Sequence, residues 1–511
     1  MRLACLRSLR QTWLPLLISG TLFYGTGSVA AADTFYVSTG GKDLEGRNGR
    51  SWDTAWKSLA YACEQVPEGK HTIRVGSGTF VATRTAHPQS GVTIVGNGRF
   101  GKKMTRIVAS KNWKLVDEPR LTNPPNEYLI AFTKKQNIGI RNLALASDPE
   151  HRITGAIYCM RSSHVHVKEV GVFEFRWSGM HFQLSGNLNV ERCVLKNAST
   201  DRSRFWNGAI KTRYIKNSEF QYNKITSTDR GGYGYAGAGH TKVRIHHNYI
   251  DVNSGFSIEC PHENEYGVEI DHNYLTRCVS VPKGAQSPDP NKRGCQYTFW
   301  IHHNYMTDSY TIEGPRNHLR ISHNYIHIDK PNGRVYTHHG GTNHGPVWIH
   351  QNVIENVDRA LVWMNNGLAE NIYVYNNMIV CADAGKRAGA LLDSYKAERL
   401  NNWVFKNNIV VAAWSQPRKV LQEKRGVPKK VIVKNNLFLN MLGVPEGNFV
   451  GKEPGLFRKG PKPWEFYLPT SEKSFVVDKG IDVGLPFRGK APDLGAIELG
   501  EKRKWGEWPL R

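Results

Sequence analysis

The chain has 511 residues, of which 68 are lysine or arginine and 44 are aspartate or glutamate, so its formal net charge is +24. A balance this basic favours a polyanionic partner such as an acidic polysaccharide, an anionic surface or nucleic acid, although charge also aids solubility. The sequence contains no zinc-finger, helix-turn-helix or RNA-binding signature, and beyond its N-terminal segment it has no apolar stretch of about 20 residues. These features argue against nucleic-acid binding and against insertion into a membrane.

The N-terminal segment has the organisation of a secretory signal peptide. Arginines between Arg2 and Arg10 precede an apolar run, and three alanines at 30–32 fit a cleavage site. A membrane anchor is the alternative, but glycines interrupt the run and it is short for a bilayer span. We expect residues 1–32 to be removed and the protein to be secreted or periplasmic.

Seven cysteines follow this segment, an odd number that cannot pair completely within one chain. They are widely spaced and include no Cys-x-x-Cys pair, which argues against a zinc site or a disulfide scaffold. Cys278 and Cys295 are the candidate pair for a loop-closing bridge.

The next residues indicate a capped β structure. Residues 35–38 alternate as a strand does, and residues 54–66 carry apolar side chains at helical spacing. Short β segments that end at glycine turns begin at Ile73 and Val92. This order predicts a strand and a capping helix, followed by the first strands of a larger assembly.

One strand motif centred on asparagine recurs eight times in the second half of the chain. Apolar and polar residues alternate in each repeat, as in VRIHHNYI around Asn248, and the chain then bends at the asparagine. The interval between repeats varies from 20 to 31 residues, which indicates a constant strand and turn joined by variable loops. The motif asparagines are Asn248, Asn273, Asn304, Asn324, Asn352, Asn377, Asn408 and Asn436.

Such short strands must stack to bury their inner faces, so the repeat predicts a solenoid. We expect the asparagine amides to form a hydrogen-bonded ladder from coil to coil. Leucine-rich repeats are the competing solenoid, but their leucine spacing is absent. The sequence therefore predicts an all-β, right-handed parallel β-helix with a short N-terminal capping helix.

With this motif, the mature sequence resembles the pectate-lyase-like superfamily, whose members are secreted right-handed parallel β-helix proteins that degrade polysaccharides. The closing segment at residues 492–498, which follows VDKG at 477–480, is also similar to the end of many such enzymes. The resemblance implies a cap and first coils at 33–130, the β-helix at 131–440, and a C-terminal coil and tail at 441–511.

A column of reactive side chains is predicted on the strands that precede the asparagine strands. Aligning these strands places Glu259, Lys283, Glu313 and His338 on consecutive coils. Stacked strands are about 4.8 Å apart, so the two glutamates would be about 9.6 Å apart. This is the upper edge of the carboxylate separation of inverting glycosidases, about 6.5 to 9.5 Å. The candidate catalytic residues are His240, Glu259, Lys283, Glu313, His338 and His339.

Lys283 between the glutamates favours a different reaction, polysaccharide lysis. A lyase removes the proton beside a uronate carboxylate, so it needs a base and a cation that neutralises the carboxylate. In the lyase families that the chain resembles, a lysine or arginine often serves as base beside calcium. Calcium is thus a candidate cofactor, with Glu259 and Glu313 as ligands, although a clustered aspartate motif is absent. The candidate substrate-binding residues are Lys211, Arg230, Tyr233, Tyr235, Arg316 and Trp363.

Histidines and tyrosines also recur beside the asparagines. The histidines suggest a zinc-binding stripe, but they occupy repeat positions, so we interpret them as stacked structural residues. We expect the tyrosines to stack in the same way. The histidines are His246, His302 and His350, together with the histidine series His247, His272, His303 and His323. The tyrosine series is Tyr249, Tyr274, Tyr305 and Tyr325.

Three functions are consistent with this sequence. The leading hypothesis is a lyase that cleaves an acidic, uronate-rich or sulfated polysaccharide, because the protein is strongly basic and Lys283 is central in the column. An inverting hydrolase that uses Glu259 and Glu313 is the second. A non-catalytic carbohydrate-binding β-helix is the third, since function resides in the site and not in the scaffold. The sequence indicates neither the sugar nor the oligomeric state.

Overall fold

The computed structural model divides the chain into two units, Met1–Ala31 and Ala32–Arg511. The predicted signal segment lies almost wholly in the first unit, outside the described residues. The structure describes residues 32–113, 127–200, 207–227, 232–253, 255–260, 264–281, 291, 294–307, 312–313, 318–328, 333–338, 346–364, 369–382, 390–394, 400–412, 417–421, 430–456, 467–503 and 505.

The chain winds as a right-handed parallel β-helix, which confirms the predicted fold class. Each full coil contributes one strand to each of three parallel sheets in turn. Among the described residues, the first sheet has 15 strands: Thr34–Val37, Thr72–Val75, Thr93–Val95, Gln136–Arg141, Ser163–Lys168, Gly186–Glu191, Lys216–Gln221, Thr241–His246, Tyr266–Asp271, Phe299–His302, Leu319–Ser322, Val347–His350, Ala369–Tyr375, Leu400–Lys406 and Val431–Lys434.

The second sheet also has 15 strands: Gly78–Ala82, Thr105–Ala109, Ala144–Ala146, Gly171–Phe173, Val194–Lys196, Lys224–Ser227, Tyr249–Val252, Tyr274–Leu275, Tyr305–Met306, Tyr325–His327, Val353–Val357, Met378–Cys381, Ile409–Val411, Leu437–Leu439 and Phe449–Val450. The third sheet has 11: Tyr128–Thr133, Gly155–Met160, Ser178–Gln183, Gly208–Arg213, Tyr233–Ala238, Ile258–Glu259, Val279–Ser280, Ile312–Glu313, Arg334–His338, Ala360–Met364 and Leu392–Ser394. Arg418–Lys419 and Met441–Leu442 form a separate two-stranded sheet.

The core forms because side chains along each strand alternate between the inner and outer faces of the sheets. Every second side chain points inward, and these side chains form one apolar cluster that extends from Phe35 to Met441. The predicted capping helix is Leu59–Gln65, whose N-cap Ser58 accepts a hydrogen bond from the backbone of Tyr61. The helix adds Leu59 to the N-terminal end of the core.

The predicted asparagine ladder is present and is longer than the sequence indicated. Each Nδ2 donates to the Oδ1 of the next asparagine at 2.9 or 3.0 Å, and that oxygen also accepts the preceding asparagine's backbone N–H. All eight motif asparagines take part, and Asn223 and Asn448 extend the series at its two ends. The ladder satisfies amide groups that are buried at the turn.

The residue before each ladder asparagine explains why the chain bends there. It adopts a left-handed conformation, with φ of 52° at His247 and 60° at Asn435, for example. Histidine and asparagine tolerate this conformation better than most residues. The predicted stacks are confirmed. Ring centroids are 4.9 to 5.0 Å apart along the histidine series and 4.8 to 5.2 Å apart along the tyrosine series.

The C-terminal segment packs back onto the outer face of the second sheet. Its residues Val476, Leu494 and Trp505 form an apolar cluster with outward side chains of that sheet, including Tyr325. The Trp505 Nε1 donates to the carbonyl of His323 at 2.6 Å. This segment therefore protects part of the outer surface from solvent.

The seven cysteines of the described chain are buried thiols, so the predicted bridge between Cys278 and Cys295 is wrong. Burial raises the pKa of the Cys159 and Cys193 thiols to about 12, which keeps both protonated. Among the described residues, no helix is long and apolar enough to cross a membrane.

Candidate active site on the third sheet

Residues at one register position of the third sheet form a line that we call the sheet 3 column. In the strand Gly208–Arg213, Ile210 and Thr212 face the interior, and Lys211 lies between them on the opposite face of the sheet. Strand register continues this line from coil to coil. The column runs Ala131, Tyr158, His181, Lys211, Ala236, Glu259, Ser280, Glu313, Thr337, Trp363 and Asp393. Glu259 and Glu313 thus lie two strands apart, as the sequence predicts.

Two predicted members of the column are misplaced. Ser280, and not Lys283, pairs with both glutamates, so the alignment of Lys283 is wrong by three positions. Thr337 pairs with Glu313, and His338 pairs with Met364 one position later. The error arose because the strands were aligned across loops of different length. Lys283 lies outside the described residues, as do Arg230, Arg316 and His339.

His240 is part of an internal network and not of the column. It is fully buried, and its Nδ1 lies 2.7 Å from the carboxylate of Glu265. Its Nε2 lies 2.8 Å from the Thr212 hydroxyl and 3.3 Å from the Tyr235 hydroxyl. Tyr235 is 1 % exposed and packs on Phe220 in the core. Both side chains face the interior, so His240 and Tyr235 do not join the column, and their predicted roles in catalysis and sugar binding stay predictions.

Lys211 lies in an aromatic and cationic environment. Its side chain is 4 % exposed, and its Nζ is 3.9 Å from the ring centroid of Trp177. This Nζ makes no hydrogen bond to any described residue. Burial, followed by the charge of Arg213, lowers the pKa of Lys211 to about 7. The amine is thus neutral in a large fraction of molecules at neutral pH, and a neutral amine can accept a proton.

His181 precedes Lys211 by one coil, and sequence reasoning missed it. Its ring meets the rings of Tyr158 and Trp177 edge-on, at 5.3 and 5.9 Å. Burial, then the charges of Lys211 and Arg213, holds its pKa well below the usual value, so the imidazole is neutral. The strand register would have identified it, because His181 pairs directly with Lys211.

The two glutamates are each bound by a hydroxyl group. The Ser280 Oγ donates to Glu313 at 2.8 Å. The Tyr233 phenol makes a hydrogen bond with Glu259, which is 7 % exposed. Burial, with the charges of Glu259 and Glu313, raises the pKa of Tyr233 to about 12. Tyr233 therefore lies beside the column, as predicted, and keeps its proton at neutral pH.

Positive charge collects around Trp363 in the same column. The guanidinium groups of Arg334 and Arg359 lie 3.6 and 5.1 Å from the Trp363 ring centroid. Arginine over an aromatic ring is a favourable arrangement, and guanidinium groups also bind carboxylates. The sequence identified Trp363 but not these two arginines, which begin or precede strands of the third sheet.

The described residues of the column do not fit a calcium cage. Calcium takes six to eight oxygen ligands, whereas the described column supplies three carboxylates. Glu259 and Glu313 are each already bound by a hydroxyl group, and Asp393 lies three strands beyond Glu313. Elsewhere in the described chain, Asp271 brings its carboxylate close to His246 and His302, which are potential metal ligands. That carboxylate already accepts hydrogen bonds from Arg244 at 2.7 and 2.9 Å, and a guanidinium would repel a cation. These contacts support the structural interpretation of the histidines.

Together, the fold and the column define a right-handed parallel β-helix protein with a polar, charged line along one sheet. Among solved structures, the chain is similar to pectate lyase Pel9A, with 13% identity over 92% of this chain and 98% of that chain and a TM-score of 0.34. It is similar to a double mutant of the tailspike protein of E. coli bacteriophage HK620 in complex with a pentasaccharide, with 11% identity over 77% and 73% of the chains and a TM-score of 0.48.

A third similar structure is the complex of XylC with xylose, with 12% identity over 84% and 88% of the chains and a TM-score of 0.36. No protein family and no curated protein sequence matches the chain. The parallel β-helix that the sequence resemblance implied is confirmed by the topology of the three sheets.

Proposed function

We propose that the protein is an enzyme that cleaves an acidic polysaccharide by β-elimination, with Lys211 as the base. The buried amine of Lys211 carries this proposal, because its pKa of about 7 makes it a proton acceptor near neutral pH.

Each of three side chains has one role in the proposed reaction. The Lys211 amine takes the proton from the carbon beside the uronate carboxylate. The electron pair left behind forms the new carbon–carbon double bond, and the glycosidic oxygen departs with the other pair. Tyr233 keeps its phenolic proton at neutral pH and can donate it to that oxygen. Arg213, which lies near Lys211, can neutralise the uronate carboxylate.

Small side chains separate the charged groups of the column. Ala236 separates Lys211 from Glu259, and Ser280 separates Glu259 from Glu313. The two arginines at Trp363 add positive charge farther along the column. A column that follows the helix axis suits a linear polymer, and the net charge of +24 favours an acidic one.

A panel of acidic polysaccharides distinguishes the candidate functions. A lyase produces an unsaturated sugar, detected as new ultraviolet absorbance, together with new reducing ends. A hydrolase produces reducing ends without the absorbance, and a binding protein produces neither. Absence of the absorbance with every polysaccharide of the panel would contradict the proposal.

Variants then test the role of Lys211. Lys211→Met should lower turnover by about a hundredfold or more, the usual contribution of a general base. Lys196→Met is the matched control, since Lys196 is an exposed residue of the second sheet. If Lys211→Met retains full activity while remaining folded, Lys211 is not the base.

Inverting hydrolysis is the second candidate, and the register of Glu259 and Glu313 favours it. Two strand spacings give about 9.6 Å between their backbones, close to the range for inverting enzymes. In that reaction, Glu259→Gln and Glu313→Gln each abolish turnover, while Lys211→Met has a smaller effect.

We also propose that the protein is secreted or periplasmic. The basic and apolar N-terminal segment and its three alanines support export. N-terminal sequencing of the protein from its native host should find a start near residue 33. A mature protein that begins at Met1 would contradict this proposal.

A further inference from the structure

A second line of outward side chains lies on the first sheet, away from the proposed active site. Each member is four residues before a ladder position, and strand pairing joins them on consecutive coils. We call this line the sheet 1 column. It contains Asn189, Glu219, Arg244, Glu269, Trp300 and Arg320, and register continues it through Trp348 to Tyr373. All of these side chains are at least partly accessible to solvent.

A groove of about 790 Å³ lies over part of this column. Its walls include Asn189, Glu219, Arg244, Glu269 and Trp300. Its volume is in the range of ligand-binding pockets, about 300 to 1,000 Å³. Because its members come from adjacent strands of one sheet, the groove follows the helix axis.

The side chains of the groove are those that bind hydroxyl groups and sugar rings. Amide, carboxylate and guanidinium groups together supply both donors and acceptors. Trp300 supplies an aromatic surface, and its orientation is fixed because its Nε1 donates to Ser322 at 2.9 Å. The Trp300 ring packs on His302 with centroids 3.9 Å apart. Farther along the column, the rings of Trp348 and Tyr373 stack at 6.3 Å.

The charges of the groove disfavour a polyanion. The Arg244 guanidinium binds the buried carboxylate of Asp271 at 2.7 Å and lies 3.8 Å from Glu269, so its charge is balanced locally. Exposed Glu219 and exposed Lys242, which also line the groove, add one charge of each sign, so the lining has no excess of positive charge. A linear molecule with many hydroxyl groups and no charge fits this arrangement better than an acidic chain does.

We propose that the sheet 1 groove binds a segment of a linear, uncharged glycan. The site is separate from the sheet 3 column, which holds the side chains proposed to cleave an acidic polymer. The protein would thus hold one type of polysaccharide on one sheet and act on another type at a different sheet.

Calorimetric titration of the full protein with cellohexaose, xylohexaose, mannohexaose and hexagalacturonate tests this proposal. We expect at least one neutral hexaose to bind, and Trp300→Ala to weaken that binding by roughly tenfold, because one stacked ring is lost. Glu219→Ala should also weaken it, and this substitution of an exposed residue avoids disturbing the fold. Trp52→Ala is the control, because Trp52 is 49 % exposed but lies outside the groove.

Binding of a neutral hexaose should be the same in Lys211→Met as in the natural protein, which separates this site from the proposed active site. The proposal is overturned if no neutral hexaose binds, or if binding survives both groove substitutions. It is also overturned if hexagalacturonate alone binds through Trp300, since the ligand would then be acidic.

Discussion

The buried amine of Lys211 should make the free energy of unfolding depend on pH, and this can be tested without knowing the substrate. Burial lowers the pKa of Lys211 from about 10.5 to about 7 in the folded protein. Each pH unit corresponds to about 1.4 kcal/mol, so holding the protonated form costs the folded state about 5 kcal/mol. This cost is already net of the contact with the Trp177 ring, 3.9 Å away, because a pKa reflects the sum of all interactions of the group.

The sign of the pH dependence follows from where the proton resides. Between pH of about 7 and 10.5, the unfolded chain holds the Lys211 proton while the folded chain has released it. The unfolded state thus binds more protons, and this group makes the free energy of unfolding increase as the pH rises through that window. Below pH 7 both states are protonated and the full cost is present.

Lys211→Met removes this titration and keeps a side chain of similar length. We expect the variant to be more stable than the natural protein by about 5 kcal/mol at pH 6, and the difference to vanish near pH 10.5. Urea denaturation across this pH range measures both curves. Lys196→Met should follow the natural protein at every pH. A stability difference that does not change with pH would refute the lowered pKa and, with it, the reason for choosing Lys211 as base.

Four further outcomes follow from the structure. Turnover should rise as the pH increases through about 7, because Lys211 becomes neutral, and a rate that falls over this range would contradict its role. Asn304→Ala should lower the free energy of unfolding, measured by urea denaturation, by about 3 to 5 kcal/mol, because it leaves several buried ladder groups without partners. The control Asn112→Ala, at an exposed turn, should have little effect. Trp505→Ala should destabilise the protein by about 3 to 5 kcal/mol and expose the C-terminal segment to limited proteolysis, because Trp505 is 1 % exposed. Binding of an acidic polysaccharide should weaken as salt is raised from about 0.1 to 1 M, and an affinity unchanged by salt would argue against a charged substrate.

The fold was predictable because the repeated residues are the ones that form the ladder hydrogen bonds. An alternating strand followed by a histidine or asparagine and then by asparagine encodes both the left-handed bend and the ladder. Asn223 and Asn448 were missed since their strands depart from the motif, as in FQYNKI around Asn223. The position of an asparagine in the bend, and not the whole motif, is what the ladder requires.

The site was only partly predictable because the strands of the third sheet contain no repeated motif that fixes their alignment. The alignment of Glu259 with Glu313 is correct, because each glutamate directly follows an inward isoleucine in its strand. Lys283 was misplaced, because nothing in the sequence marks where the short strand Val279–Ser280 ends. The role of Lys211 was missed for a different reason: a lowered pKa depends on burial beside Trp177 and Arg213, and burial of a lysine cannot be inferred from alternation alone.

The ladder also explains how a solenoid with variable loops can hold chemical groups in fixed positions. The sequence separation between successive ladder asparagines ranges from 12 to 31 residues, yet every ladder bond is 2.9 or 3.0 Å. Differences in length are therefore absorbed in the loops, while strands on all three sheets keep one spacing. Lys211, Glu259 and Glu313 belong to strands, so their separations are set by the solenoid and not by the loops. Changes in loop length should then alter which sugars bind and leave the relative positions of these three groups unchanged.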